Sequence, residues 1–378
     1  MEIESKNAAE NLSIMTENNT LAEIKKQNML LNTSEYEERK VCLYSLPLSL
    51  YIDVSKKCNL QCPSCFRSAP TNKDMIWPEI DFQIFTEIAR ELFPSAYRVI
   101  LSGGGESLIH KDFNQMLELC LTYQVRPILY TNATTMNSKT VTLLARAGTY
   151  LGISIDSARK ETFEKLRFPF TWEKMIHALH LIKKIREETN NEDFYPYLGV
   201  VLQKDNLNEL SLILDLAKEF GFELIKFSSL DPYYPALQQN IPDPGDVEKA
   251  LVNVLEKANE NFIYIYSPVY GNTVFSGKLR ELLDKNGSLP HKIHKNNPDR
   301  FVKYPFFNSH DCQIPWAETM ITAEGKVVPS CCSLVELGDL KRDSFKTIWN
   351  NKKYKNLRKT VNSKKPLTYC RKPSCPFR

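Results

Sequence analysis

The sequence predicts an α/β fold: a parallel sheet with helices outside it, followed by a small cysteine-rich unit. Three observations carry this. Apolar strand patterns and amphipathic helix patterns alternate from about residue 48 to 227. Repeated βα units of that length need helical crossovers, which make neighbouring strands parallel. Seven cysteine positions fall into two groups, one at the start of the α/β region and one near the end of the chain.

The elements follow in order. Ser49–Ser55 is an apolar strand, with Lys56 and Lys57 beyond it. Trp77-Pro78-Glu79 predicts a helix start, with Ile80, Ile84, Ile88 and Leu92 at helical spacing. Arg98–Ser102 is a strand that runs into Gly103-Gly104-Gly105-Glu106. Phe113, Met116, Leu117 and Cys120 mark a helix, and Cys120 reads as a small buried apolar residue. Pro127–Tyr130 is a strand ending in Thr131-Asn132. A helix over Thr140–Ala147 stops at Gly148. Tyr150–Asp156 is a strand with a polar end, and Trp172–Arg186 is a strongly periodic helix. Tyr197–Gln203 is a strand, Asn206 is placed to cap a helix Leu207–Phe220, and Glu223–Phe227 completes six units.

Composition bounds the class. Of 378 residues, 42% are apolar and 25% charged, ordinary for a globular protein. No apolar run approaches the ~20 residues that span a bilayer, so no membrane role is expected. Residues 1–45 read as a disordered extension with at most a short helix near Leu21–Leu31, and no secretory signal opens it. A cytoplasmic location is expected. The net charge of +4 hides an asymmetry: from Lys341 onward thirteen Lys and Arg face one acid, Asp343. Such a field suits an acidic partner, either a reductant or a peptide substrate. Nucleic acid is not expected, because no reading motif is present.

The most informative stretch is Cys58-Asn-Leu-Gln-Cys62-Pro-Ser-Cys65. Three thiolates on one loop after a strand can hold three corners of a cubane iron–sulfur cluster, leaving one iron open to a ligand. A zinc site would need a fourth ligand from far along the chain. Disulfides do not fit reduced cytosolic thiols.

This C-x3-C-x2-C loop resembles the signature of the radical S-adenosylmethionine (SAM) family. The resemblance implies a partial (β/α)6 barrel, a SAM-binding 4Fe-4S cluster on Cys58, Cys62 and Cys65, and a 5′-deoxyadenosyl radical that abstracts hydrogen from a substrate. It implies chemistry at the C-terminal ends of the strands. The glycine run Gly103, Gly104, Gly105 ending in Glu106 matches the family's SAM-amino-group site, although Ser107 stands where the family has Pro. Ser64 occupies a position that is usually aromatic, and Phe66 is the substitute cover for the adenine. Ser154 and Asp156 resemble SAM ribose or carboxylate contacts, with helix capping the equal alternative for Asp156. Asn132 and Gln203 are further candidates. His177 and His180 read as solvent-facing.

Residues 231–310 loosen into a connecting segment that covers the barrel mouth, with a helix over Val247–Ala258 and a strand Ile263–Tyr266. From 311 to 378 a second pattern begins. Cys312 precedes a hairpin Thr319–Pro329 turning at Glu324-Gly325; Cys331-Cys332 follow, then Ile348-Trp349 and the pair Cys370 and Cys375. Four thiol positions can enclose zinc or a second cluster. The layout resembles the SPASM or shortened "twitch" domain, implying one auxiliary 4Fe-4S cluster on Cys312, Cys331, Cys370 and Cys375, with Cys332 the alternative to Cys331. The resemblance implies an oxidoreductase or modifying enzyme reduced by flavodoxin or ferredoxin. The expected substrate is a small polar metabolite of sugar or aminocyclitol type. The alternatives are a ribosomally made peptide, or no catalysis and a zinc or iron–sulfur scaffold.

Overall fold

The computed structural model of the chain describes residues 20–72, 74–230, 238–261, 263–266, 277–287, 311–330 and 335–370. Among them one sheet runs through the α/β region and into the C-terminal part. Its strands are β1 Ser49–Ile52, β2 Arg98–Leu101, β3 Arg126–Thr131, β4 Tyr150–Ser154, β5 Tyr195–Leu202, β6 Leu224–Ser229, β7 Tyr264–Tyr266, β8 Glu318–Ile321, β9 Lys326–Val328 and β10 Gly338–Asp339. Their spatial order is β10-β9-β8-β1-β2-β3-β4-β5-β6-β7. From β1 to β7 every neighbouring pair is parallel, as helical crossovers require. The six-unit barrel therefore forms and gains a seventh strand from Tyr264–Tyr266. It remains open, because β7 is paired to β6 and β10 to β9 at opposite edges.

The predicted hairpin forms between β8 and β9, with Gly325 at φ +83°. Only glycine adopts that conformation without strain. The hairpin does not stand apart from the barrel. β8 lies parallel to β1, in register Ser49↔Glu318, so the C-terminal cysteine unit extends the barrel's own sheet.

Side chains alternate across the sheet. Leu50, Ile52, Val99, Leu101, Ile153 and Phe227 are fully buried toward the helices. On the inner face Tyr150 stacks on Tyr195 (ring centroids 5.7 Å) and leans on Tyr197 (4.6 Å), filling the lower lumen.

The structure corrects three local expectations. First, residues 20–45 are ordered. Leu21–Glu37 is a helix opened by a Thr20/Glu23 capping box. Its anchors are polar: Lys25 Nζ donates to the Phe93 and Ala96 carbonyls, and Asn32 Nδ2 to the Trp316 carbonyl at 2.7 Å. Glu35 accepts the amides of Tyr44 and Ser45. Burial pushes the Lys25 ammonium down to about 8. The helix lacks an apolar stripe, so the sequence showed only a short helix near Leu21–Leu31 and not its full length. Residues 1–19 lie outside the described residues. Second, the helix expected from Pro78 begins at Phe82, because Asp81 Oδ1 accepts the Gln83 amide (2.7 Å) while Ile80 N–H is committed to Val54. Third, Asn206 caps nothing; its Nδ2 ties the Asp156 and Val201 carbonyls together.

Candidate active site

The cysteine loop leaves β1 at the C-terminal end of the sheet, beside the loops after β2, β3, β4 and β5. Cys58, Cys62 and Cys65 are all half-buried. A turn fixes the last two, with Cys65 N–H donating to the Cys62 carbonyl at 3.0 Å. Cys58 Sγ receives the Leu60 amide at 3.5 Å and Asn132 Nδ2 at 3.7 Å. Burial pushes the Cys62 thiol up to about 11 and raises that of Cys58. Such thiols stay protonated unless a metal takes the proton's place.

The glycine loop is seated directly on the cysteine loop. Glu106 N–H donates to the Lys57 carbonyl at 2.7 Å. A Cβ on Gly105 would sit 2.6 Å and 2.7 Å from the Lys56 and Lys57 carbonyl carbons and closer still to the Lys57 oxygen. A Cβ on Gly103 would collide with the Asp53 carboxylate. On Gly104 it would lie 3.0 Å from the Phe66 ring, which packs against this loop. The Phe66 ring also meets Trp77 edge-on at 5.8 Å, and Arg67 lies over that Trp77 at 4.1 Å.

Glu106 is 2% exposed. It accepts Thr131 Oγ1 (2.7 Å) and Leu108 N–H (3.2 Å) on one oxygen and Asn132 N–H (2.6 Å) on the other. Burial raises its carboxyl above the ordinary range, against those hydrogen bonds. A carboxylate offers about four lone-pair sites, so one is left for a cationic donor.

The other candidates take more varied positions. Ser154 ends β4 opposite Gly199 of β5. Asp156, at φ +55°, caps no helix: Oδ1 accepts the Val201 amide at 2.7 Å and Oδ2 meets Arg167 at 2.6 Å. Gln203 accepts Ser64 Oγ at 2.6 Å, pinning the cysteine loop to β5. His177 and His180 are exposed. Two residues went unnoticed in the sequence. Arg167 is 13% exposed at its side chain; burial would lower it, but Asp156, Cys62 and Cys65 hold it above its ordinary value. Asp53, at the end of β1, packs against Gly103 and lies 3.7 Å from Lys56, which also binds Glu324 at 3.1 Å. Asp53 so links the glycine loop to the β8–β9 hairpin. Neither carries a motif: Arg167 is brought in by a turn far along the chain, and Asp53 is a single acid at a strand end just before the cysteine loop.

In the second cysteine group, Cys312 is clamped to Asn362 by two backbone–side-chain hydrogen bonds of 2.8 and 2.9 Å. Cys370 closes a short turn. Cys331, Cys332 and Cys375 lie outside the described residues. Among the described residues no three ligand-type side chains converge on one metal ion. In a four-iron cluster each thiolate binds a different iron. Soft donors, a facing guanidinium and N–H groups directed at sulfur fit that group.

Two family models match this chain: the radical SAM superfamily over residues 52–217, and the SPASM iron–sulfur cluster-binding domain over residues 312–376. The chain belongs to the radical SAM superfamily. Its SPASM domain implies auxiliary iron–sulfur ligation beside the SAM-binding cluster. An AdoMet-dependent heme synthase of Methanosarcina barkeri (strain Fusaro) is 23% identical over 313 residues, 82% of this chain and 84% of that protein. The subtilosin biosynthesis protein AlbA of Bacillus subtilis (strain 168) is 20% identical over 342 residues, 88% of this chain and 66% of that protein. Streptococcus suis SuiB, solved with its precursor peptide SuiA, superposes with TM-score 0.60 at 16% identity, over 88% of this chain and 71% of that one. These likenesses fit the parallel sheet and its C-terminal extension. This radical SAM enzyme has, among the described residues, no helix long and apolar enough to cross a membrane.

Proposed function

We propose that this radical SAM enzyme abstracts hydrogen from a peptide and leaves it oxidised. The observation that carries the reading is the seating of the Gly103–Glu106 loop on the Cys58 loop, at the C-terminal rim of the parallel sheet. Tyr130, on a central strand, is 40% exposed there. A four-iron cluster and SAM, bound at this rim, supply one-electron cleavage of the sulfonium and a carbon radical that takes a hydrogen atom.

The chain's residues divide that work. Cys58, Cys62 and Cys65 hold the cluster, and Arg167 balances its negative charge. Glu106 uses its remaining lone pair for the SAM ammonium, while Gly103, Gly104 and Gly105 let the backbone approach. Phe66 flanks the adenine side, and Asn132 and Ser154 face the cosubstrate. Asp156 and Gln203 act through Arg167 and Ser64. Cys312, Cys331, Cys370 and Cys375 would hold one auxiliary cluster, which would supply one-electron oxidation of the substrate radical. The basic stretch from Lys341 onward attracts an acidic flavodoxin or ferredoxin. Arg358 is excluded from that field, because it is buried.

The peptide reading replaces the sugar or aminocyclitol expected from the sequence. It is supported by the peptide in the SuiB complex and by the biosynthetic role in AlbA's name. A second reading, a tetrapyrrole, is favoured by the heme synthase, 84% of whose length aligns. Anaerobically reconstituted protein is expected to bind about eight irons, as two four-iron clusters require, and to release 5′-deoxyadenosine. Mass spectrometry is expected to find hydrogen loss in a peptide encoded beside the gene. Zinc without iron and no 5′-deoxyadenosine would overturn the reading; a mass change confined to a tetrapyrrole would select the second.

A further inference from the structure

Two guanidinium groups adjoin the cysteine loop, and they are balanced differently. Arg167 pairs with the Asp156 carboxylate. Arg67, among the described residues, meets no carboxylate but a backbone carbonyl and an aromatic face. It stands two residues after Cys65, yet one of its terminal nitrogens donates to the carbonyl of Lys56, two residues before Cys58. Arg67 therefore ties the two ends of the loop together. Its guanidinium lies 4.1 Å over the Trp77 ring. The Trp77 segment is fixed to the same strand end: the Lys56 N–H donates to the Pro78 carbonyl at 2.8 Å, and Ser55 bridges Glu79. Both supports of Arg67 thus come from one hydrogen-bonded unit. One donor is left over. The Arg67 Nε–H is buried and finds no acceptor among the described residues, and the same holds for the Nε–H of Arg167.

A charged donor buried without an acceptor is costly, and native proteins seldom leave one. Two of them beside one loop point to a bound group that brings acceptors and negative charge. A four-iron cluster on three thiolates is such a group: it is net anionic, and hydrogen bonds to its sulfurs help to set its potential. The Cys58 thiol already feels Arg67: burial raises it, while the Leu60 amide and the Arg67 charge act against the rise. We propose that Arg67 serves the SAM-binding cluster, giving its Nε–H to a sulfur on the Cys58 side and its uncompensated charge to the reduced form. A positive charge favours the state with one more electron, so Arg67 raises the potential of that cluster. Held in advance by Lys56 and Trp77, it does so at little ordering cost. This rests on the assignment of a cluster to Cys58, Cys62 and Cys65 and is independent of the substrate.

The test uses anaerobically reconstituted, full-length holoenzyme in redox titrations followed by electron paramagnetic resonance. The signal that changes when SAM is added belongs to the cluster with an open iron. The other signal, from the auxiliary cluster, is the internal control. Arg67→Met keeps a side chain to pack on Trp77 but removes the charge and the donor. It is expected to disfavour reduction of the SAM-responsive cluster by about tenfold, the effect of one hydrogen bond to a charged group, or about 59 mV for one electron. The auxiliary midpoint is expected to stay at its wild-type value. Arg67→Lys, which restores the charge without the Nε–H, is expected to fall between wild type and Arg67→Met. A wild-type midpoint in Arg67→Met with full iron content overturns the assignment and leaves Arg67 as a tie within the loop. Equal movement of both midpoints, or failure of both variants to take up iron, overturns it as well. If Arg67→Met alone takes up no iron, Arg67→Lys decides: a lowered midpoint supports the assignment and a wild-type one overturns it. A tenfold loss of SAM affinity at an unchanged midpoint would give the guanidinium to the SAM carboxylate and overturn it too. Wild type that takes up no iron would defeat the cluster reading itself.

Discussion

Substituting Gly105 by alanine tests the seating of one loop on the other. The added Cβ would fall 2.6 Å and 2.7 Å from two backbone carbonyl carbons, those of Lys56 and Lys57. Neither is the end of a flexible side chain, so the loops must part by roughly 1 Å to restore ordinary contact. Overpacking of this kind costs about 1–3 kcal/mol. Parting the loops also breaks the Glu106 N–H bond to the Lys57 carbonyl, worth about 1 kcal/mol more. The sum, about 2–4 kcal/mol, corresponds to a loss of roughly thirty- to a thousandfold in an equilibrium constant. It acts where Lys57 precedes Cys58, so it is expected in SAM affinity and in 5′-deoxyadenosine formation together. Equilibrium binding of SAM to reconstituted holoenzyme measures it. Gly245→Ala is the control, because a Cβ at Gly245 meets nothing within 4 Å. SAM affinity within about threefold of wild type in Gly105→Ala, with iron content intact, would refute the reasoning.

Three further outcomes are expected. Burial pushes the Asp53 carboxyl up to about 6, above its unfolded value of about 3.9. The folded state therefore holds the extra proton between those values. The stability this gives is complete below about pH 4 and is lost as pH rises through about 6, a change of order 2–3 kcal/mol. Asp53→Asn should flatten that part of the pH profile of thermal unfolding; parallel profiles for the two proteins would count against it. Arg167→Met leaves the buried Asp156 carboxylate unpaired and should cost about 3–5 kcal/mol. Adding Asp156→Asn should restore stability, while the cluster's midpoint potential, read by electron paramagnetic resonance titration, stays lower than in wild type. Arg358 donates to the carbonyls of Pro315, Val41 and Trp349 and lies 4.3 Å over the Trp349 ring, with burial lowering it to about 10. Arg358→Met should destabilise the protein by about 2–4 kcal/mol, with increased amide exchange in Leu21–Glu37 as well as near the substitution.

The Asp156 and Glu106 geometries mark the line between what sequence and fold decide. Spacing alone put Cys58, Cys62 and Cys65 on one loop, because ligands within eight residues need no distant partner. The βα alternation determined parallel strands, since the connections permit no other arrangement over those lengths. Gly103–Glu106 was legible for the same local reason: it directly follows a strand. The roles of Asp156, Gln203 and Asn206 were not, because each depends on what the neighbouring strand brings within 3 Å. Arg167 and Asp53 reach the site from a separate turn and strand, and a charged residue in a chain gives no sign of which pocket it enters. The helix Leu21–Glu37 was legible only as a short one near Leu21–Leu31, because polar side chains reaching backbone carbonyls hold it, and that pattern has no period. The addition of β8 to the edge of β1 was likewise decided in space, where an unpaired strand edge had to find a partner.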